Sequence, residues 1–142
     1  MNPVRVLFVC NHNSARSQMA EAFVNHLGQG HFVAESAGLE AGVLNPRAVE
    51  AMREVGIDIS KSKTKSVFEM TKAGKAFDYV VAVCDEASVK QCPVFPGDGE
   101  KLYWGFPDPS VVSGSEQQKL QRTCEIRDHI RKRVMAWLDE FS

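Results

Sequence analysis

Residues 4–9 (Val-Arg-Val-Leu-Phe-Val) form a nearly continuous apolar run, broken only by Arg5, and predict a short buried strand. A polar stretch follows, Cys10-Asn11-His12-Asn13-Ser14-Ala15-Arg16. Met19, Ala20, Phe23, Val24 and Leu27 then recur at helical spacing until Gly28 supplies a stop. Residues 32–34 predict a second strand, ending near Ser36-Ala37-Gly38. Asn45 and Pro46 offer an N-cap and a first-turn proline for a second helix, with Ala48, Val49, Met52 and Val55 on one face and Gly56 at its end. A short helix is expected around residues 67–70. Residues 77–83 read as the clearest buried strand, running directly into Cys84. A short helix or loop is expected from there to Cys92, then turn residues Pro93, Pro96, Gly97 and Gly99. Residues 102–106 predict a fourth strand, closed by Pro107-Asp108-Pro109. A last helix over residues 116–141 carries Leu120, Ile126, Ile130, Val134, Trp137, Leu138 and Phe141 on one side.

Strands alternating with helices predict an α/β fold: a single domain over residues 1–142, with a four-stranded parallel sheet flanked by helices on both faces. In such sheets ligands bind beyond the carboxyl ends of the strands. Cys10, Cys84 and Asp108 each fall at or just past such an end, so residues more than 70 positions apart would share one edge of the sheet.

Composition narrows the function classes. With 17 basic and 18 acidic side chains in 142 residues, the formal net charge of −1 gives no reason to expect nucleic acid or an anionic membrane as partner. No apolar stretch approaches the roughly 20 residues of a membrane-spanning helix. The start, Met-Asn-Pro-Val-Arg-Val, carries no apolar signal region, so a cytoplasmic protein is expected, and a monomer. Four cysteines, at 10, 84, 92 and 124, are then not a disulfide framework. They are small buried hydrophobes, or they are chemical. Cys124 falls roughly 100° from the centre of the last helix's apolar face and is expected to pack at its edge.

Cys10, five residues, Arg16 and Ser17 make the spacing of an oxyanion-binding loop. Between a strand and a helix N-terminus, successive backbone N–H groups can point into one cup. Arg16 would bring a planar fork for two oxygens of a tetrahedral anion. The helix dipole and the arginine both favour Cys10 as thiolate, the nucleophilic form. Ser17 is expected to donate to that sulfur. Asn13 is expected to hold the loop by bonding its backbone, with Asn11, His12, Ser14 and Ala15 completing it. The polar Asn-His-Asn-Ser stretch is poor surroundings for a merely structural thiol.

Residues 6–10 (Val-Leu-Phe-Val-Cys), followed by residues 13–21 (Asn-Ser-Ala-Arg-Ser-Gln-Met-Ala-Glu), resemble the arsenate reductases built on the low-molecular-weight tyrosine phosphatase fold. The likeness continues through Ser36-Ala37-Gly38, Asn45-Pro46, residues 56–60, residues 80–84 and Trp104-Gly105-Phe106, nearly the whole chain. It implies a thiol relay. Cys10 attacks arsenate to give a covalent arsenic adduct, Cys84 attacks Cys10 and releases arsenite, Cys92 attacks Cys84, and reduced thioredoxin restores the final disulfide. Members of the family commonly have six residues between the second and third cysteines; here there are seven, 85–91, a difference that costs little closure entropy.

Asp108, stiffened between two prolines, resembles the general acid of the superfamily, placed to protonate the leaving oxygen as Cys10 attacks. The phosphatases usually continue Asp-Pro with tyrosine; here Ser110-Val111 follows. Some family members bind potassium through residues matching Asn13, Glu21 and Ser36 plus an acidic side chain. The corresponding position here is Lys65, which would repel the cation or replace it, so no metal is expected. His12, His26, His31 and His129 form no zinc pattern either. From residue 61 to 75, five lysines stand against one acid, a solvated face that also suits attraction of anions. The sequence therefore points to an arsenate reductase with no metal or organic cofactor. A tyrosine phosphatase using Cys10, Arg16 and Asp108 alone is the alternative, and a non-enzymatic oxyanion-binding or redox-sensing module is the third reading.

Overall fold

The computed structural model describes residues 3–83 and 99–141. Four parallel strands make one sheet in the order β2-β1-β3-β4: β1 Val4–Cys10, β2 Phe32–Gly38, β3 Tyr79–Ala82 and β4 Glu100–Tyr103. β1 is central, paired on one side with β2 over Val4–Phe32 to Cys10–Gly38 and on the other with β3 over Val6–Tyr79 to Val9–Ala82. A strand covered on both faces and both edges must be apolar on both, and residues 6–10 are all buried. The chain leaves β1 toward β2 and later returns to β1's other side. The carboxyl end of β1 is therefore the switch point of the sheet, where such folds hold ligands.

Alternation along β1 sorts the two layers. Val6, Phe8 and Cys10 face the larger core with α1 (Arg16–Leu27), α2 (Pro46–Glu54) and α4 (Glu116–Asp139). Leu7 and Val9 face the smaller one with Ala37, Phe77, Val80 and α3 (Val67–Lys72). Local chemistry fixes the ends of these helices. Asn45 Oδ1 accepts from the Arg47 N–H at 2.8 Å with Pro46 in the first turn, and Ser115 and Gln118 close a capping box on α4. Trp137 joins α4 to the sheet through ring contacts with Phe32, Tyr79 and Trp104, at centroid distances of 5.3–5.6 Å. Trp104 in turn meets Phe8 at 5.7 Å, which anchors the chain just beyond β4. No helix among the described residues is long and apolar enough to cross a membrane.

β2 runs from Phe32 through Glu35 and Ser36 to Gly38, ending at the Ser36-Ala37-Gly38 stretch as expected. Boundaries moved in two places. The fourth strand is Glu100–Tyr103, not 102–106. The backbone makes its last ladder bond from Trp104 N to Ala82 O and then leaves the sheet. β3 is assigned only over Tyr79–Ala82, although Asp78 N and Val83 N still donate to Arg5 O and Val9 O, so the paired run is nearly the predicted one. The expected helix or loop between Cys84 and Cys92 lies outside the described residues.

Candidate active site

The loop from Cys10 to Arg16 takes its shape from the segment after β2. Leu39, Glu40, Gly42 and Asn45 donate their backbone N–H groups to the carbonyls of Cys10, Asn11, His12 and Ser14, at 2.9–3.1 Å. Carbonyls turned outward and satisfied leave the loop's peptide dipoles directed inward, the arrangement an anion requires. Asn13 takes a left-handed conformation (φ 56°), which asparagine tolerates better than most residues. Gly38 makes the close approach possible: a Cβ there would lie 2.7 Å from Asn13 N and 2.8 Å from the His12 carbonyl carbon. α1 begins at Arg16 behind Ala15, and no side chain caps it. Its first turn is thus directed at the cup without a competing side-chain acceptor.

Cys10, 2 % exposed, sits at the base. Its sulfur accepts from the Asn13 N–H at 3.2 Å and lies 2.9 Å from Ser17 Oγ. Asn13 Nδ2 donates to that same Oγ at 2.8 Å, so the serine hydroxyl hydrogen is free to point at the sulfur. Asn13 Nδ2 also donates to Ser36 Oγ at 2.9 Å, and Ser36 donates onward to Glu21 Oε1 at 3.1 Å. The Asn13 side chain was expected to bond the backbone of its own loop; its bonds go instead to Ser17, Ser36, Gln18 and Lys65. It joins the loop to β2, and through Oδ1, which accepts from Lys65 N at 2.9 Å, to the 63–66 segment. Gln18, fully buried, donates through Nε2 to Asn13 O, Asn13 Oδ1 and Lys63 O at 3.0–3.1 Å. Three acceptors around one atom fix the amide orientation, even though Oε1 is buried and without a partner among the described residues. Burial pushes the Glu21 carboxyl above its ordinary value, while the Lys65 ammonium, 3.7 Å from Oε1, pulls the other way. The potassium set implied by the resemblance does not fit this arrangement: the ammonium stands on Glu21, and Asn13 Oδ1 already accepts two N–H groups.

Arg16 enters from the first turn of α1, 7 % exposed. One arm of its fork donates to Phe106 O at 3.2 Å and the other meets Asp108 Oδ2 at 3.5 Å. Asp108 Oδ1 accepts from the Ser110 N–H at 2.9 Å and the Ser110 hydroxyl at 2.7 Å, which starts a single 3-10 turn over Pro109–Val111. The carboxylate is thus held by one oxygen while the other faces the guanidinium. The site thus brings together a buried thiol bonded by the loop and a guanidinium whose two arms meet the Phe106 carbonyl and the Asp108 carboxylate.

Of the residues singled out by the sequence, Cys10, Asn13, Arg16, Ser17 and Asp108 come together. Asn11, His12, Ser14 and Ala15 supply the loop backbone, with the His12 side chain exposed. Cys84 and Cys92 lie outside the described residues, Cys84 directly following Val83 in the chain. Cys124 is half-buried on α4, donates to Glu54 Oε1 at 3.6 Å, and is pushed up by burial, away from the nucleophilic form. Gln18 had no assigned role in the sequence reading. Its signal was a polar side chain in a helical first turn that is buried throughout. Among the described residues, no three His, Cys, Asp or Glu side chains gather to hold a metal.

Comparison with known proteins covers the same ground. The family model described as low molecular weight phosphotyrosine protein phosphatase matches residues 5–142. An arsenate reductase of Shouchella clausii is 40% identical over 134 residues, 94% of each chain. A solved arsenate reductase in its phosphate-binding state superposes with a TM-score of 0.76 at 30% identity, covering 98% of this chain and 99% of that one. The thioredoxin-dependent arsenate reductase of Corynebacterium glutamicum aligns with a TM-score of 0.63 at 27% identity, over 95% of this chain and 64% of its own. With a family match over almost its entire length and so similar a relative, the chain belongs to the low molecular weight phosphotyrosine protein phosphatase family.

Proposed function

We propose that this protein reduces arsenate to arsenite through a covalent Cys10–arsenic adduct and a Cys10, Cys84, Cys92 relay regenerated by thioredoxin. The observation that carries the reading is the Cys10 sulfur, bonded by Asn13 and Ser17 at the base of a cup whose wall is the Arg16 fork and the Asp108 carboxyl. In the first step the sulfur bonds to arsenic(V) as one oxygen leaves, and Asp108 Oδ2 supplies the proton that turns it into water. The Cys84 thiolate then bonds to the Cys10 sulfur. The S–As bond breaks with its electron pair moving to arsenic, and arsenite departs as arsenic(III). Cys92 next attacks Cys84, frees Cys10 as thiolate, and leaves a Cys84–Cys92 disulfide for the dithiol of thioredoxin. Such a relay has to be kept reduced, which supports a cytoplasmic setting. Relatives named arsenate reductase support the substrate, and one named thioredoxin-dependent supports the donor.

Cys10, Arg16 and Asp108 would equally serve a phosphatase, the chemistry for which the family model is described. NADPH consumption with arsenate, thioredoxin and thioredoxin reductase separates the two. Turnover is expected in the intact protein and lost in Cys84→Ser and in Cys92→Ser, with any aryl-phosphatase activity spared. Phosphatase turnover without arsenate-dependent NADPH loss would establish the second reading, and phosphate binding without either turnover would reduce the protein to an oxyanion-binding module.

A further inference from the structure

Cys10 is the end of a chain of hydrogen bonds that crosses three elements and closes on an ion pair. From the sulfur it passes to Ser17 and Asn13 on the loop and α1, to Ser36 on β2, to Glu21 on α1 and to Lys65 in the 63–66 segment, in steps of 2.9, 2.8, 2.9, 3.1 and 3.7 Å. Asn13 and Ser36 are fully buried, and the Glu21 side chain is 16% exposed. A carboxylate at the end of such a chain needs a cation to remain ionised and to orient Ser36 as donor. Glu35, a like charge that acts on Glu21, is held separately by Lys75 at 2.7 Å and Arg5 at 3.6 Å. Lys65 is the cation the described residues place on Glu21, and its own N–H also bonds Asn13 Oδ1, so one residue grips both ends of the link.

We propose that the Lys65 ammonium is a built-in monovalent cation. Through Glu21, Ser36 and Asn13 it holds the oxyanion loop in its binding shape, so the protein works without an external alkali ion. Lys65 is then a positioning residue, and removing its ammonium converts the protein into one that depends on a free cation. The inference rests on the oxyanion cup assigned above, but not on arsenate as the substrate.

The test compares the intact protein with Lys65→Met, Lys65→Arg and Lys63→Met at fixed ionic strength, in tetramethylammonium, potassium and ammonium chlorides. Three quantities are read: the thermal midpoint, the Kd for inorganic phosphate by calorimetry, and KM and kcat for arsenate. The intact protein is expected to be indifferent to the cation. Lys65→Met in tetramethylammonium should bind phosphate roughly tenfold more weakly, the scale of one charge-assisted hydrogen bond. Its KM should rise more than its kcat falls. Potassium or ammonium should restore both binding and midpoint to within about threefold and a degree or two of the intact protein. Lys65→Arg should need no rescue. Lys63→Met, which removes an equal charge from the same segment but leaves Glu21 paired, should show no cation dependence. The inference is overturned if Lys65→Met binds phosphate as the intact protein does, if neither cation restores it, or if the intact protein responds to potassium. Absence of arsenate turnover in the intact protein would instead remove the proposed reaction, while midpoint and phosphate binding still decide the role of Lys65.

Discussion

Gly38 offers a test of how the loop is shaped. A Cβ at that position would meet Glu40 O at 2.5 Å, Asn13 N at 2.7 Å and the His12 carbonyl carbon at 2.8 Å, all main-chain atoms. Each is about 0.6–0.9 Å inside the 3.4 Å of ordinary contact, and none belongs to a side chain that can swing away. Gly38→Ala must therefore push the loop and the 39–45 segment apart. The cost is that of an overpacked interior, about 1–3 kcal/mol. For a chain of this size that is roughly 4–12 °C in thermal midpoint. The displacement also acts on the bonds from Leu39, Glu40 and Gly42 that turn the loop carbonyls outward. A shift approaching an ångström at a reacting site costs on the order of 100-fold in kcat/KM. Gly105→Ala is the control. Its Cβ would meet only the far end of the Tyr103 ring, with the hydroxyl at 2.6 Å, and that side chain is half exposed and free to rotate. It should cost no more than about 0.5 kcal/mol. Thermal unfolding followed by circular dichroism and coupled NADPH kinetics measure both effects. A Gly38→Ala protein within a degree of the parent midpoint and within twofold of its kcat/KM would refute the reasoning.

Asp108→Asn retains the cap on Ser110 but cannot give a proton, so kcat for arsenate should fall by about 10²–10⁴ while KM does not rise. A kcat within threefold of the parent would remove the general-acid role. Ser17→Ala takes away the hydroxyl between Asn13 Nδ2 and the Cys10 sulfur, and alkylation of Cys10 by iodoacetamide should slow roughly tenfold. Unchanged alkylation would show that the Ser17 contact does not activate the thiol. Asp58 is held below its ordinary 3.8 by the side chain and N–H of Ser60. Because folding lowers its pKa, its contribution to stability is present above pH 3.8 and lost as pH falls through the depressed value. The midpoint of Asp58→Asn should accordingly lie below the parent's at pH 7 and converge with it on acidification. A difference independent of pH would exclude the charged hydrogen bond as its source.

The parallel sheet and the place of Cys10 and Arg16 on it were legible because hydrophobic burial writes itself into periodicity. β1, buried from Val6 to Cys10, is apolar over that stretch, and α1 carries its stripe up to Gly28. Periodicity was a weaker guide where function or an edge overrode that pattern. β2 continues past its apolar residues through Glu35 and Ser36 to the expected end at Gly38. Ser36 is tolerated in the interior because Asn13 and Glu21 satisfy its hydroxyl. β4, paired among the described residues only with β3, is exposed at Glu100, Lys101 and Tyr103, so apolarity drew the prediction toward Trp104 and Phe106. Trp104 makes the last ladder bond and packs on Phe8, while Phe106, beyond the sheet, offers its carbonyl to Arg16. Only the family resemblance grouped Asn13 with Ser36 and Lys65, and Gln18 was readable only as a polar letter in a motif, since these partners are set by tertiary contact rather than local spacing.

The backbone clasp between residues 39–45 and the loop also governs where this chain can change in length. Four N–H groups at positions 39, 40, 42 and 45 meet carbonyls at 10, 11, 12 and 14, so a single inserted or deleted residue between Leu39 and Asn45 would slide the donors out of step with their acceptors. An insertion beside Gly30 or Gly114, in turns that form no part of the clasp, leaves it intact. Sites for affinity tags, reporter groups or new chain ends therefore belong at those turns. The stretch following β2, though it contributes no reactive side chain, behaves as fixed in length as the cysteine loop itself.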